Sequence, residues 1–67
     1  MSEGVLRIRK LLEHWIEHNE EHLARFREVA AEAEGMGLAD AAGSLRIAVD
    51  RGEDVSAQLR KALESMG

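Results

Sequence analysis

Apolar residues recur every three or four positions along this chain, in two long runs separated by a short glycine-containing break. In the first run, Ile8, Leu12, Trp15, Asn19, His22, Phe26, Val29 and Ala33 alternate by four and three residues. That is the spacing of a helix seam packed at about 3.5 residues per turn. All but Asn19 and His22 are apolar. The second run, Leu38, Ala42, Leu45, Val49, Gly52, Ser56, Leu59, Leu63 and Met66, keeps the same alternation and is apolar except at Gly52 and Ser56. Between the runs, Gly35 and Gly37 bracket Met36, and a glycine after a periodic segment supplies the left-handed residue that ends a helix. The pattern predicts an all-α fold, an antiparallel helical hairpin forming one domain over residues 1–67. Its helices are expected at about 4–34 and 38–66, joined by a turn at 35–37.

Folding the chain back at Met36 sets Asn19 near Glu53 and His22 near Asp50, which places Trp15, Asn19 and His22 against Gly52 and Ser56. Bulk on one helix then meets smallness on the other, and Trp15 is expected to fill the space that Gly52 and Ser56 leave, since side chains across a core must sum to native packing density. The competing expectation is a break near Gly52, with Asp54 capping a short third helix. Gly43-Ser44 is a second weak point, and Leu38 to Ala42 could form a separate turn. Leu11, Ile16, Leu23, Ile47 and Val55 fall on or beyond the seam edges, so the apolar face is broader than one neighbouring helix hides. Two hairpins pairing into a four-helix bundle would cover it, and a twofold homodimer is the expected arrangement.

Composition narrows the function. A chain of 67 residues buries only about 60% of the surface its unfolded form exposes, which leaves little room for an enclosed catalytic pocket. Short folds rely on disulfides, a metal, oligomerisation or near-ideal helix packing, and cysteine is absent. Thiolate nucleophiles, zinc fingers and iron–sulfur sites are thereby excluded. With 9 Lys+Arg against 13 Asp+Glu and a net charge of −4, the chain lacks the basic face that nucleic acid demands. No apolar run approaches the roughly 20 residues needed to cross a bilayer, and Ser2 to Lys10 lacks the apolar core of a signal peptide. The expectation is a cytoplasmic protein with neither nucleic-acid nor membrane partners.

The stretch HWIEHNEEH carries the chain's three histidines, His14, His18 and His22, at four-residue intervals. Residues four apart are neighbours on a helix, so His14 with His18, or His18 with His22, can hold one transition metal between two turns. His14 and His22 lie about 12 Å apart along the axis and cannot share an ion. Further ligands must come from Glu17 or Glu21 on the same turns, from Asp50 or Asp54 on the returning helix, or from a second chain. Imidazole and carboxylate ligands suit nickel, zinc, copper or iron. The stretch matches His-x-x-Glu-His at His14–His18 and again at His18–His22, the inverted zinc-peptidase motif, but so short a chain supplies neither the remaining ligand nor a cleft. The Glu-x-x-His pair of di-iron bundles is missing, because Leu11, Trp15 and Asn19 stand three before each histidine. His22, on the seam, is expected to hold a buried hydrogen bond, Asn19 to fix register, His18 to sit at the edge and His14 to be the most exposed. Glu13, Glu17, Glu20 and Glu21 form an acidic surface beside them, which can be plain solvated face or can draw cations.

HWIEHNEEH followed by Leu23-Ala24-Arg25-Phe26-Arg27 resembles the signature of an uncharacterised family of small helical-hairpin domains from archaea and anaerobic bacteria. Some of its members resemble appendages of nickel-binding accessory proteins of the carbon monoxide dehydrogenase type. The resemblance spans residues 11 to 66, and its first part is the specific one. It implies His14, His18 and His22 as family positions, with Trp15 and Asn19 beside them, and a metal-handling protein as partner. The cysteine-bearing metal domain of such proteins has no counterpart in this cysteine-free chain. A weaker likeness to hemerythrin-like bundles fails on length and on the missing ligand motifs. The function expected from all of this is non-enzymatic binding of a divalent transition metal (Ni, Zn or Cu) by the histidine face, with His14, His18, His22, Glu17 and Glu21 as candidate ligands, in an accessory or storage role. The alternative is a structural, dimerisation or protein-interaction module whose histidines pack the seam and make it sensitive to pH.

Overall fold

The computed structural model describes residues 2–67. Helix α1 runs Glu3–Gly35 and helix α2 runs Ala39–Ser65, antiparallel, in a rod of 53 × 14 × 11 Å. The all-α hairpin expected from the apolar period is the observed fold. Ser2 opens α1, its Oγ accepting a hydrogen bond from the Val5 amide at 3.1 Å, which satisfies one of the unpaired N–H groups of the first turn. Gly37, not Gly35, makes the turn: it has φ +79°, while Gly35 is the last residue of α1. The Gly37 amide donates to the Glu34 carbonyl at 3.0 Å and the Leu38 amide donates to the Ala33 carbonyl at 2.9 Å. This pair of bonds is the Schellman closure that a left-handed residue permits.

Helix α2 is continuous through Gly52. The expected break, with a third helix capped by Asp54, does not form, and Leu38 to Ala42 is no separate turn, because Leu38 directly precedes the first residue of α2. The seam of α2 is the one its period predicts: Ala42, Val49 and Ser56 are buried, and Leu45, Gly52, Leu59, Leu63 and Met66 are half-buried. Only Leu38, outside the helix, is exposed.

Helix α1 is rotated from its expected face. Its inward residues are Val5, Arg9, Leu12, Ile16, Asn19, Leu23, Phe26, Ala30 and Ala33, so Leu12, Asn19, Phe26 and Ala33 stay on the seam while Ile8, Trp15, His22 and Val29 turn out of it. Two observations account for the rotation. The first is steric: Leu23, 1% exposed, sits so close to Gly52 that a Cβ there would overlap its Cδ2. Leu23, not Trp15, fills the narrow waist of α2, and Trp15 is 47% exposed. An isobutyl group fits the notch left by one missing methyl, where an indole would overfill it.

The second is electrostatic. In an antiparallel pair the residues just after one set of seam positions face their counterparts across one flank. Here those are Glu20, Arg27 and Glu34 on α1 and Arg46, Glu53 and Arg60 on α2. The flank is closed by Arg60–Glu20 at 2.8 Å, Arg27–Glu53 at 2.6 Å and Arg46–Glu34 at 2.5 Å. The side chains are about half exposed, so each pair is worth less than about 1 kcal/mol. Had α1 kept the expected face, Ile16, Leu23 and Ala30 would have met this charged row.

The notch makes a prediction whose sign reverses with background. Gly52→Ala should destabilise the hairpin by about 1–3 kcal/mol through overpacking. In a Leu23→Ala background the same change should be neutral or stabilising, because alanine is the better helix former by about 1 kcal/mol. Urea unfolding of the four variants of that cycle checks it.

Candidate functional site

The flank opposite the ion pairs is apolar. On α1 it carries Ile8, Trp15, His22 and Val29, seven residues apart, and on α2 it carries Ala41, Ala48, Val55 and Ala62 at the same spacing. Ile8, Trp15, Val29 and Val55 are exposed. At mid-length a shallow groove opens between the helices, lined by Trp15, His18, Asn19, His22, Val55 and Leu59.

The groove has a polar floor. Asn19 Nδ2 donates to the Gly52 carbonyl at 2.8 Å and to Ser56 Oγ at 2.8 Å. A helix carbonyl can only accept, so the amide face of Asn19 is fixed by its partner. Ser56 is 1% exposed, and Asn19 supplies the bond that such a buried hydroxyl requires. Counting from the turn had set Asn19 beside Gly52 and Ser56, and the structure places it there.

The histidines follow the rotation of α1. All three are exposed, and the buried hydrogen bond expected of His22 is not formed, because its position has turned out of the seam. Successive steps of four residues carry the imidazoles around the helix from His14, on the solvent side, through His18 to His22 at the groove. Ring centroids are 5.7 Å apart for His14 and His18, 4.6 Å for His18 and His22, and 6.2 Å for His22 and Phe26. The close pair is His18 and His22, whose Nε2 atoms approach to 3.2 Å. With one ring donating and the other accepting, this is a hydrogen bond. It is also the separation of two nitrogens on one ion: metal–nitrogen bonds of 2.0–2.1 Å would subtend an angle of about 103° at the metal, near tetrahedral.

His14 does not join the pair. Glu17 and Glu21 lie toward the outer side of α1, both exposed, and the ion pairs among the described residues involve arginines and not histidines. Asp50 and Asp54 are likewise exposed on α2. Among the described residues no group of three or more histidine or carboxylate side chains converges as a metal site. One chain therefore offers two imidazole nitrogens over an apolar groove, and the five-residue ligand set expected from spacing is not gathered at one point. Sequence spacing found the histidines, and it put Leu59 on the α2 seam and Val55 at its edge, but it did not set these two against the histidines as the walls of one groove. The seven-residue recurrence of Val55 with Ala41, Ala48 and Ala62 was the available signal.

Residues 8–66 match the model of a domain of unknown function, DUF8180. The chain belongs to this family. An uncharacterized protein of Archaeoglobus fulgidus is 39% identical over 57 residues, covering 85% of this chain and 90% of that protein. No solved structure matches. The match covers α1 from Ile8, the turn and all of α2, the histidine stretch included. No helix among the described residues is long and apolar enough to cross a membrane.

The floor of the groove can be tested by itself. Asn19→Ala should cost about 1–2 kcal/mol, since it leaves the Ser56 hydroxyl buried without its donor. Adding Ser56→Ala should cost little more, because both changes remove one interaction. Denaturant midpoints of the two single variants and the double variant read this out.

Proposed function

We propose that this DUF8180 hairpin is a non-enzymatic module that binds a divalent transition metal through His18 and His22, in an accessory or storage role. The observation that carries the reading is the 3.2 Å approach of the two Nε2 atoms, which is already the bite of a two-nitrogen chelate. Helix geometry places the two side chains one turn apart, so both imidazoles can reach one ion without any change in the backbone. The bite lies nearer a tetrahedral angle than the 90° of a square-planar site, which favours zinc over nickel or copper within this ligand class. His14 serves at most as an outer contact, and Glu17 and Glu21 act through the local negative field that attracts cations.

The second reading, a dimerisation or protein-interaction module, is favoured by a different observation: Ile8, Trp15, Val29 and Val55 stand exposed on one flank. A metal-handling protein partner, nickel-linked or otherwise, fits the first reading and rests on the resemblance of the histidine stretch; a cytoplasmic setting fits it too and rests on the apolar pattern of the chain.

Calorimetric titration of the metal-free protein with Zn²⁺ and Ni²⁺ at pH 7 and pH 5.5 tests the chelate. Saturable uptake should weaken at the lower pH, where protons compete for the same nitrogens. His18→Ala or His22→Ala should each weaken it by on the order of 100-fold, each removing one of two ligand bonds, while His14→Ala should leave it nearly unchanged. A wild-type isotherm in His18→Ala would sink the reading.

A further inference from the structure

From the groove and the histidine pair we infer that a second copy of this chain docks on the apolar flank, α1 against α1 and antiparallel, and completes the metal site with its own His18 and His22. This rests on the chelate reading above and adds the partner that the site requires.

The first support is coordination. Structural zinc sites are closed by four protein ligands, and one chain gathers two nitrogens and no third histidine or carboxylate among the described residues. A twofold axis beside the pair doubles the set to four imidazoles without any further residue type.

The second support is a pattern on α1 that its packing on α2 leaves unused. Ile8, Leu11, Trp15, His18, His22, Arg25, Val29 and Glu32 alternate by three and four residues, which is a second helix seam beside the one that α2 covers. Three of the seam's four facing pairs are complementary, and the outermost sets Ile8 against Glu32 of the second copy. An antiparallel crossing centred on Glu20 sets His18 against His22 of the second copy, Leu11 against its Val29 and Trp15 against its Arg25, a guanidinium that suits an indole face. The crossing point also falls within one residue of Asn19, the middle of α1, and α2 is centred on Gly52. Two rods joined at their histidines would thus overlap along their full length.

The third support is area. A compact folded chain of 7.4 kDa is expected to expose about 4,200 Å², and this one exposes 4929 Å². The excess of roughly 700 Å² is close to the 800 Å² or so that each partner gives to a standard interface. The opposite flank, held by Arg27–Glu53, Arg46–Glu34 and Arg60–Glu20, is committed within the hairpin and is the less suited face.

Sedimentation velocity with metal analysis on the same samples decides the matter, with Zn²⁺ as the probe and EDTA-treated protein as the reference. The expected result is half an ion per chain and a doubled mass in zinc. Trp15→Glu, checked as folded by circular dichroism, should return the mass to 7.4 kDa and lower zinc affinity at least about tenfold while both histidines remain. One ion per chain on an unchanged monomer would overturn the inference and leave the chelate standing, with another protein's helix as the flank's occupant. A zinc-loaded dimer indifferent to Trp15→Glu would overturn the placement on this flank. No zinc uptake by the wild-type chain would remove both readings together.

Discussion

The contact between Leu23 and the bare backbone of Gly52 sets how the two helices meet. A side chain at 52 would hold them apart at mid-length; its absence lets α2 approach until Leu23 is enclosed. Everything lateral follows from that seating. Once Leu23 points inward, Ile16 and Ala30 share its face, and Glu20, Arg27 and Glu34 are carried to the flank where Arg60, Glu53 and Arg46 wait. Trp15 and His22 are carried the other way, out of the core and onto the rim of the groove. The position of the histidines is therefore a consequence of packing decided at a glycine on the opposite helix.

That dependence explains what could be read from the chain alone. The apolar period of α2 leaves one choice of seam, and that seam is the observed one. On α1, Leu12, Asn19, Phe26 and Ala33 belong to two overlapping seams, one completed by Ile8, Trp15, His22 and Val29 and the other by Arg9, Ile16, Leu23 and Ala30. Both have the same period, so periodicity cannot choose between them. The choice lies in what each would face, a notch one methyl deep and a row of alternating charges, and is visible only when both helices are considered together. Asn19 was legible because it lies on both seams. The closeness of His18 and His22 was legible from their spacing, and Glu17 and Glu21 stand apart from the pair because consecutive residues on one helix point about 100° apart; only the exposure of His22 follows from the rotation.

The two flanks differ in what they ask of the surroundings. Charged side chains on one are satisfied within the chain and cost little to leave in water. The other exposes indole and branched aliphatic groups around an imidazole pair, on a rod too thin to fold over them. The histidine pair and that flank are linked by position, because the histidines sit where the uncovered stripe crosses the middle of the rod.

The charged flank has a further consequence, for errors in assembly. Its signs alternate along each helix, Glu20, Arg27, Glu34 against Arg60, Glu53, Arg46, so sliding one helix past the other by seven residues would bring Glu20 to Glu53 and Arg27 to Arg46. A slip in the other direction would set Arg27 against Arg60 and Glu34 against Glu53. Heptad-sized slips are the ones that an apolar seam alone tolerates best, since they restore large residues to large gaps. Each like-charge contact costs about as little as each ion pair gains, but a slip loses the pairs and adds the repulsions together, so the row separates the native alignment from its nearest competitors by more than it stabilises the native state, acting as a vernier that reads true at one alignment.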